Sequence, residues 1–217
     1  MPTDVGIVRT AVPGLTTGSG APLTLTASGA TVVMDWYAAQ VLNGYGWQVR
    51  AGTITTPLVG DVVVTDTAAE YYVNVANGGT LIPLTNTISI RLGTGTLHEY
   101  AVKSVAGAGT TNGFTPLALK TGAVTTGLDT AAVSAAGGVT VSAELATTTR
   151  RHWSFSQPIA MGAYVGEQQW EPLRPPVLQG TASAVQCLYV QIAATTTGPS
   201  YYAALDYLLI PTALIGQ

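Results

Sequence analysis

The chain has 217 residues, enough for one large all-β domain or two small ones with an ample core. Hydrophobic residues make up 47% of it and charged ones only 9%, against roughly 25% in an ordinary soluble domain. With 8 basic and 11 acidic residues the net charge is −3, which excludes packaging of nucleic acid by charge: phosphate binding needs clustered Lys and Arg, and the one basic dipeptide is Arg150-Arg151.

So few charges leave a surface covered by Thr, Ser, Gly, Ala and Gln, or buried against other subunits. A typical cytosolic enzyme does not have this make-up. Residues 1–30 are rich in Gly, Pro, Thr and Ser and read as an N-terminal arm before one domain over residues 31–217. Thr31 to Gln40 begins with β-branched residues and reads as a strand, although Asp35 to Leu42 also suits two helical turns. Asn43-Gly44 marks a turn, and Trp47 to Ile54 continues as a strand. Short strands follow at Val62–Val64, Glu70–Ala76, Thr80–Leu84 and Thr87–Leu92, with Asn77-Gly78-Gly79 as a hairpin-grade turn. Leu97 to Val105 alternates as a half-buried strand does. Strands at this spacing, separated by turn residues, predict an all-β fold: a single antiparallel β-sandwich of jelly-roll type.

Residues 106–149 are mostly Ala, Gly and Thr and read as a loop-rich insertion, with short strands near Thr115–Leu119 and Val139–Leu145. Pro158, Pro172, Pro175 and Pro176 forbid regular ladder pairing, so Trp153 to Pro176 is expected as an edge strand followed by an extended loop. Ala184 to Pro211 reads as a closing hairpin around Thr197-Gly198-Pro199-Ser200. Both of its strands are apolar on nearly both faces and belong inside covered sheets. Leu188, Val190, Ile192, Leu205, Tyr207 and Leu209 are the expected core residues.

Chemical signatures are sparse. Cys187 stands alone in an apolar strand, which leaves no disulfide framework. His98 and His152 lie outside any zinc spacing, and no metal or cofactor is expected. Asp61, Asp66 and Glu70 cluster around a turn as a candidate for Ca²⁺, without the EF-hand spacing. Glu167 and Glu171 flank Trp170, as the carboxyl pair of a glycosidase flanks an aromatic platform. Nothing marks a Ser–His–Asp triad, a P-loop or a dinucleotide fingerprint, and the expected protein is not an enzyme. The start, MPTDVGIVR, lacks the basic-then-apolar order of a signal peptide, and no apolar run reaches the ~18 residues of a membrane span. Synthesis in a cytoplasm without an export signal is the expectation.

Trp, Tyr and Arg dominate protein interfaces, while Lys and Glu are depleted there. On that ground Arg150, Arg151, His152 and Trp153, with Trp170, Glu171 and Arg174, are the expected contact residues. The Gly60–Val105 strand ladder, the Pro-rich Gln157–Pro176 loop, the Ala184–Pro211 stretch and the arm at residues 1–30 together resemble the small single jelly-roll capsid and capsid-decorating proteins of bacteriophages and related viruses. The resemblance implies a location in the virion, a role without catalysis, and partners that are copies of the chain or other virion proteins. The competing expectation is a carbohydrate- or receptor-binding β-sandwich, such as a lectin-like module or a fibre tip. It would use Trp170, Trp153 or Trp47 as stacking platforms for a glycan.

Overall fold

The computed structural model describes residues 35–62, 68–93, 97–106, 113–114, 116–120, 129–133, 139–140, 149–158 and 164–215. The arm expected at residues 1–30, Asp66 and most of the expected insertion at 106–149 lie outside them. The elements run α1 (Trp36–Leu42), β1 (Gly46–Ala51), β2 (Leu58–Val59), β3 (Ala68–Ala69), β4 (Tyr71–Val75), β5 (Gly79–Gly93) and β6 (Leu97–Ala106). They continue as β7 (Gly113–Phe114), β8 (Leu117–Ala118), β9 (Asp129–Val133), β10 (Val139–Thr140) and β11 (Arg150–Pro158). Last come β12 (Tyr164–Trp170), β13 (Leu178–Gln179), β14 (Gln186–Ala194) and β15 (Ser200–Pro211).

A seven-stranded sheet has the order β12-β5-β15-β1-β8, with β13 also on β5 and β2 also on β15. A six-stranded sheet has the order β11-β6-β14-β4-β9-β7, and β3 pairs with β10 apart from both. All of these ladders are antiparallel. The two large sheets bury one face each against the other, so the fold is an antiparallel β-sandwich.

Its centre follows from strand parity. Leu188, Val190 and Ile192 of β14 meet Leu205, Tyr207 and Leu209 of β15 between the sheets, all fully buried. Many of the alternate residues are buried as well, on the outer faces. Cys187 and Tyr189 join Ala69, Tyr72 and Val105 outside the six-stranded sheet, and Leu208 and Ile210 join Ile82 outside the seven-stranded one. Strands apolar on both faces thus take the middle of each sheet.

The stretch expected as a closing hairpin is not one. β14 and β15 belong to different sheets, and residues 195–199 carry the chain across the sandwich. The crossing is pinned rather than folded back: the Gly60 N–H donates to the Pro199 carbonyl at 2.8 Å. Gly198 lies so close to Gly60 that a Cβ there would sit 1.8 Å from the Gly60 carbonyl oxygen.

Three further expectations change. Residues 36–42 form a helix, the second of the two readings, because Asp35 caps it: its Oδ1 accepts from the N–H groups of Tyr37 at 2.9 Å and Ala38 at 3.2 Å. Gly44, at φ 89°, ends it, and Trp36 and Val41 lie on the Ile82–Leu208–Ile210 cluster. The strands expected at Thr80–Leu84 and Thr87–Leu92 are one, β5. Pro83 is accommodated beside a bulge, where the register slips between Asp206 and Tyr207 and the missing N–H is tolerated. The Pro-rich stretch supplies an edge strand to each sheet, β11 to one and β12 to the other, with its prolines at or beyond the strand ends.

Candidate functional site at the β11–β12 edge

Strands β11 and β12 are the end strands of the two sheets on one side of the sandwich. On β11, Arg151 pairs with Lys103 and Trp153 with Val102, so His152 is the extra residue of a β-bulge. The bulge sends neighbouring side chains different ways. Arg151 faces outward and meets Glu99 at 3.7 Å, a half-exposed ion pair that contributes about 0–1 kcal/mol. Trp153 and Phe155 turn inward against the inter-sheet core, where Phe155 stacks on Tyr100 with centroids 6.1 Å apart.

His152 joins the two sheets. Its Nε2 lies 2.8 Å from Ser104 Oγ, and its ring stacks on Trp170 at the end of β12, with centroids 6.4 Å apart and planes 25° from parallel. Burial, and then the positive charge of Arg150, hold its pKa below the ordinary histidine value, so the ring is neutral at neutral pH. Arg150 and His152 line one wall of a cleft of about 420 Å³, and Pro176, Val177 and Gln179 line the other. The segment 171–177 that leads from Trp170 to this cleft carries exposed Glu171, Arg174 and Val177, together with Leu173, which is fully exposed.

Of the seven expected contact residues, the fold therefore brings Arg150, His152 and Trp170 into one cluster and sets Glu171 and Arg174 on the adjoining loop. Arg151 and Trp153 point elsewhere. Ser104 and Gln186, which also line the cleft, escaped sequence reading. A bulge at His152 has no sequence signal of its own, and without it the pairing of Ser104 with this ring is not foreseeable.

The Ser104–His152 contact has the spacing of a nucleophile and its base. Among the described residues, however, no carboxylate is hydrogen-bonded to the other ring nitrogen, and Ser104 is itself buried. The pair serves as a polar rivet between β6 and β11.

Other candidates separate in the same way. Trp170 is buried on the core-facing side of β12, whereas Glu167 is exposed on the opposite side and accepts from Ser89 Oγ at 3.2 Å. The carboxyl pair thus does not share a face with the aromatic ring. Trp47 is also buried, so neither it nor Trp170 offers a stacking surface to a glycan. Glu70 is fully enclosed: its Oε1 accepts the Asp61 N–H at 3.0 Å and its Oε2 the Ile192 N–H at 2.5 Å. Both oxygens are occupied by the backbone, and burial pushes the carboxyl up from 4.5 to about 8. Among the described residues no group of three potential metal ligands comes together, and no helix is long and apolar enough to cross a membrane.

No protein-family model matches the chain, and no curated protein matches it in sequence.

Proposed function

We propose that the chain is a non-enzymatic structural subunit of a virus particle, a capsid shell or capsid-decorating protein, that acts through subunit–subunit contacts. The observation that carries this reading is a surface poor in charge that nonetheless exposes large apolar side chains along one edge. Charged residues are 9% of the chain, while Val165, Leu173 and Val177 stand 65%, 102% and 60% exposed. Such side chains gain by being covered, at about 25 cal/mol per Å² of apolar surface removed from water. Arg150, Glu171 and Arg174 beside them are the polar rim that an interface of this kind has.

A jelly-roll path is the finer part of the proposal. It is supported by the runs β4–β5–β6, β11–β12 and β13–β14–β15, in each of which successive strands lie in opposite sheets. In this reading residues 1–30 serve as an arm onto a neighbouring subunit, and the protein reaches the virion from the cytoplasm of the host that makes it.

Light scattering across a concentration series, with the peak imaged by electron microscopy, tests the proposal. Rings, closed particles or defined small oligomers are expected, and Leu173→Ser, which removes no intramolecular packing, is expected to lower the mass. A wild-type protein that stays monomeric at high concentration sinks the reading.

A further inference from the structure

The outer face of the seven-stranded sheet, beyond the area under α1, forms a second and separate surface. The ladder registers set its side chains in rows across the strands. Glu167, Ser89 and Tyr202 make one row, and Gln169, Thr87, Ala204 and Arg50 the next. Thr85, Asp206 and Gln48 make a third. Ala204 is the smallest member of this array and is bordered by Tyr202 and Asp206 along its own strand and by Thr87 and Arg50 on its neighbours. A depression results. Arg50, Thr87, Ser89, Tyr202 and Ala204, with residues 52–54 from the loop after β1, line a groove of about 380 Å³, within the ~300–1,000 Å³ typical of small-ligand sites.

Its polar groups are fixed in place. Gln48 Nε2 donates to Asp206 Oδ1 at 2.6 Å, and Arg50 Nε donates to Gln48 Oε1, which holds the guanidinium and leaves its terminal N–H groups as donors. Ser89 lines the groove and donates to Glu167. Arg50 is the charged residue of the lining, and the carboxyls of Asp206 and Glu167 stand beside the groove in the adjoining rows, so the face as a whole has no positive excess with which to select an anion. What converges is a half-exposed tyrosine ring, an apolar floor and wall from Ala204 and Ile54, the donors of Arg50, and the hydroxyls of Thr53, Thr87 and Ser89, which can both donate and accept.

That combination fits a ligand with an apolar face and a rim of groups that both donate and accept hydrogen bonds. We propose that the groove binds a neutral hexose unit of a glycan. The C–H face of the sugar packs on Tyr202, Ala204 and Ile54, and its hydroxyls bond to Arg50, Thr87 and Ser89. This inference does not depend on the assembly role, because the groove is lined by β1, β5, β15 and the loop after β1, and by no residue of β11, β12 or the 171–177 segment.

The test is a panel of immobilised glycans, ending in neutral hexoses or in uronic acids, probed with the full chain and followed by calorimetric titration of the soluble sugars retained. Neutral hexose-terminated glycans are expected to bind. Tyr202→Ala and Ala204→Leu, the second filling the floor, are each expected to weaken binding at least tenfold while circular dichroism stays unchanged. Should either fail to fold, Arg50→Met, altering an exposed side chain, carries the same expectation. Retention of no neutral glycan, retention of acidic glycans alone, or wild-type binding by the folded variants overturns the proposal.

Discussion

Glu70 stands immediately before β4 with its carboxyl taken out of water and held by two backbone N–H groups, one from the 60–62 segment and one from β14. Those two donors favour the anion and burial favours the acid; burial prevails, and the pKa rises to about 8. Asp61, whose charge adds to the rise, and the hydroxyls of Tyr71 and Tyr201 are the titratable groups that face it. The folded state therefore holds this proton more tightly than the unfolded chain does. Stability from Glu70 is complete below about 4.5 and is lost as pH climbs toward about 8. Urea denaturation at a series of pH values should show the midpoint falling across that window, by an amount on the order of a few kcal/mol in stability. His152, with a lowered pKa, has the opposite sign and acts only below its unfolded value near 6.5. Glu70→Gln should flatten the fall; a Gln variant that keeps the full pH dependence would show that the proton resides elsewhere. Asp206, shifted upward by burial against its hydrogen bond from Gln48 and the nearby charge of Arg50, adds in the same direction as Glu70 but starts from 3.8.

Helix α1 illustrates how much of an element can be held by one side chain. It is seven residues long, too short to be stable alone, and rests on Ile82, Leu208 and Ile210. Asp35→Ala removes the acceptor for two of its free N–H groups and should lower stability by about 1 kcal/mol, readable as a shift in thermal midpoint. If the midpoint does not move, the helix is held by its apolar contacts alone. The competing strand and helix readings of this stretch could not be separated in sequence, because the β-branched Thr31–Val33 runs straight into the Asp35 cap. Strand parity was legible where large apolar residues alternate: the two faces of β14 separate into two clusters just as odd and even positions do. Which sheet a strand joins was not legible, since β14 and β15 present the same texture and their partners lie far away in the chain. The edge cluster was half legible. Arg150, His152 and Trp170 stood out by residue type, but their meeting depends on the bulge at His152 and on β12, a strand hidden between prolines.

On the scale of the whole molecule, the edge made by β11, β12 and the 171–177 segment is the surface on which association is expected to act. With Val165, Leu173 and Val177 as its apolar content, association should persist or strengthen at 1 M salt, where the Debye length is only ~3 Å. Light scattering at low and high salt distinguishes this from assembly through ion pairs, which would dissociate. The order of the strands carries one more implication, and it concerns synthesis. Every strand that pairs with β14 or β15 (β4 and β6 for the first, β1, β2 and β5 for the second) precedes both in the chain. On the ribosome, which adds roughly 5–20 residues per second, those earlier strands emerge with the middle of each sheet still missing. They wait with apolar faces and unpaired edges open, and the sandwich can close only when the two central strands arrive together. Nascent chains halted before residue 184 should consequently be the aggregation-prone species, and the natural clients of whatever chaperone attends this protein's production.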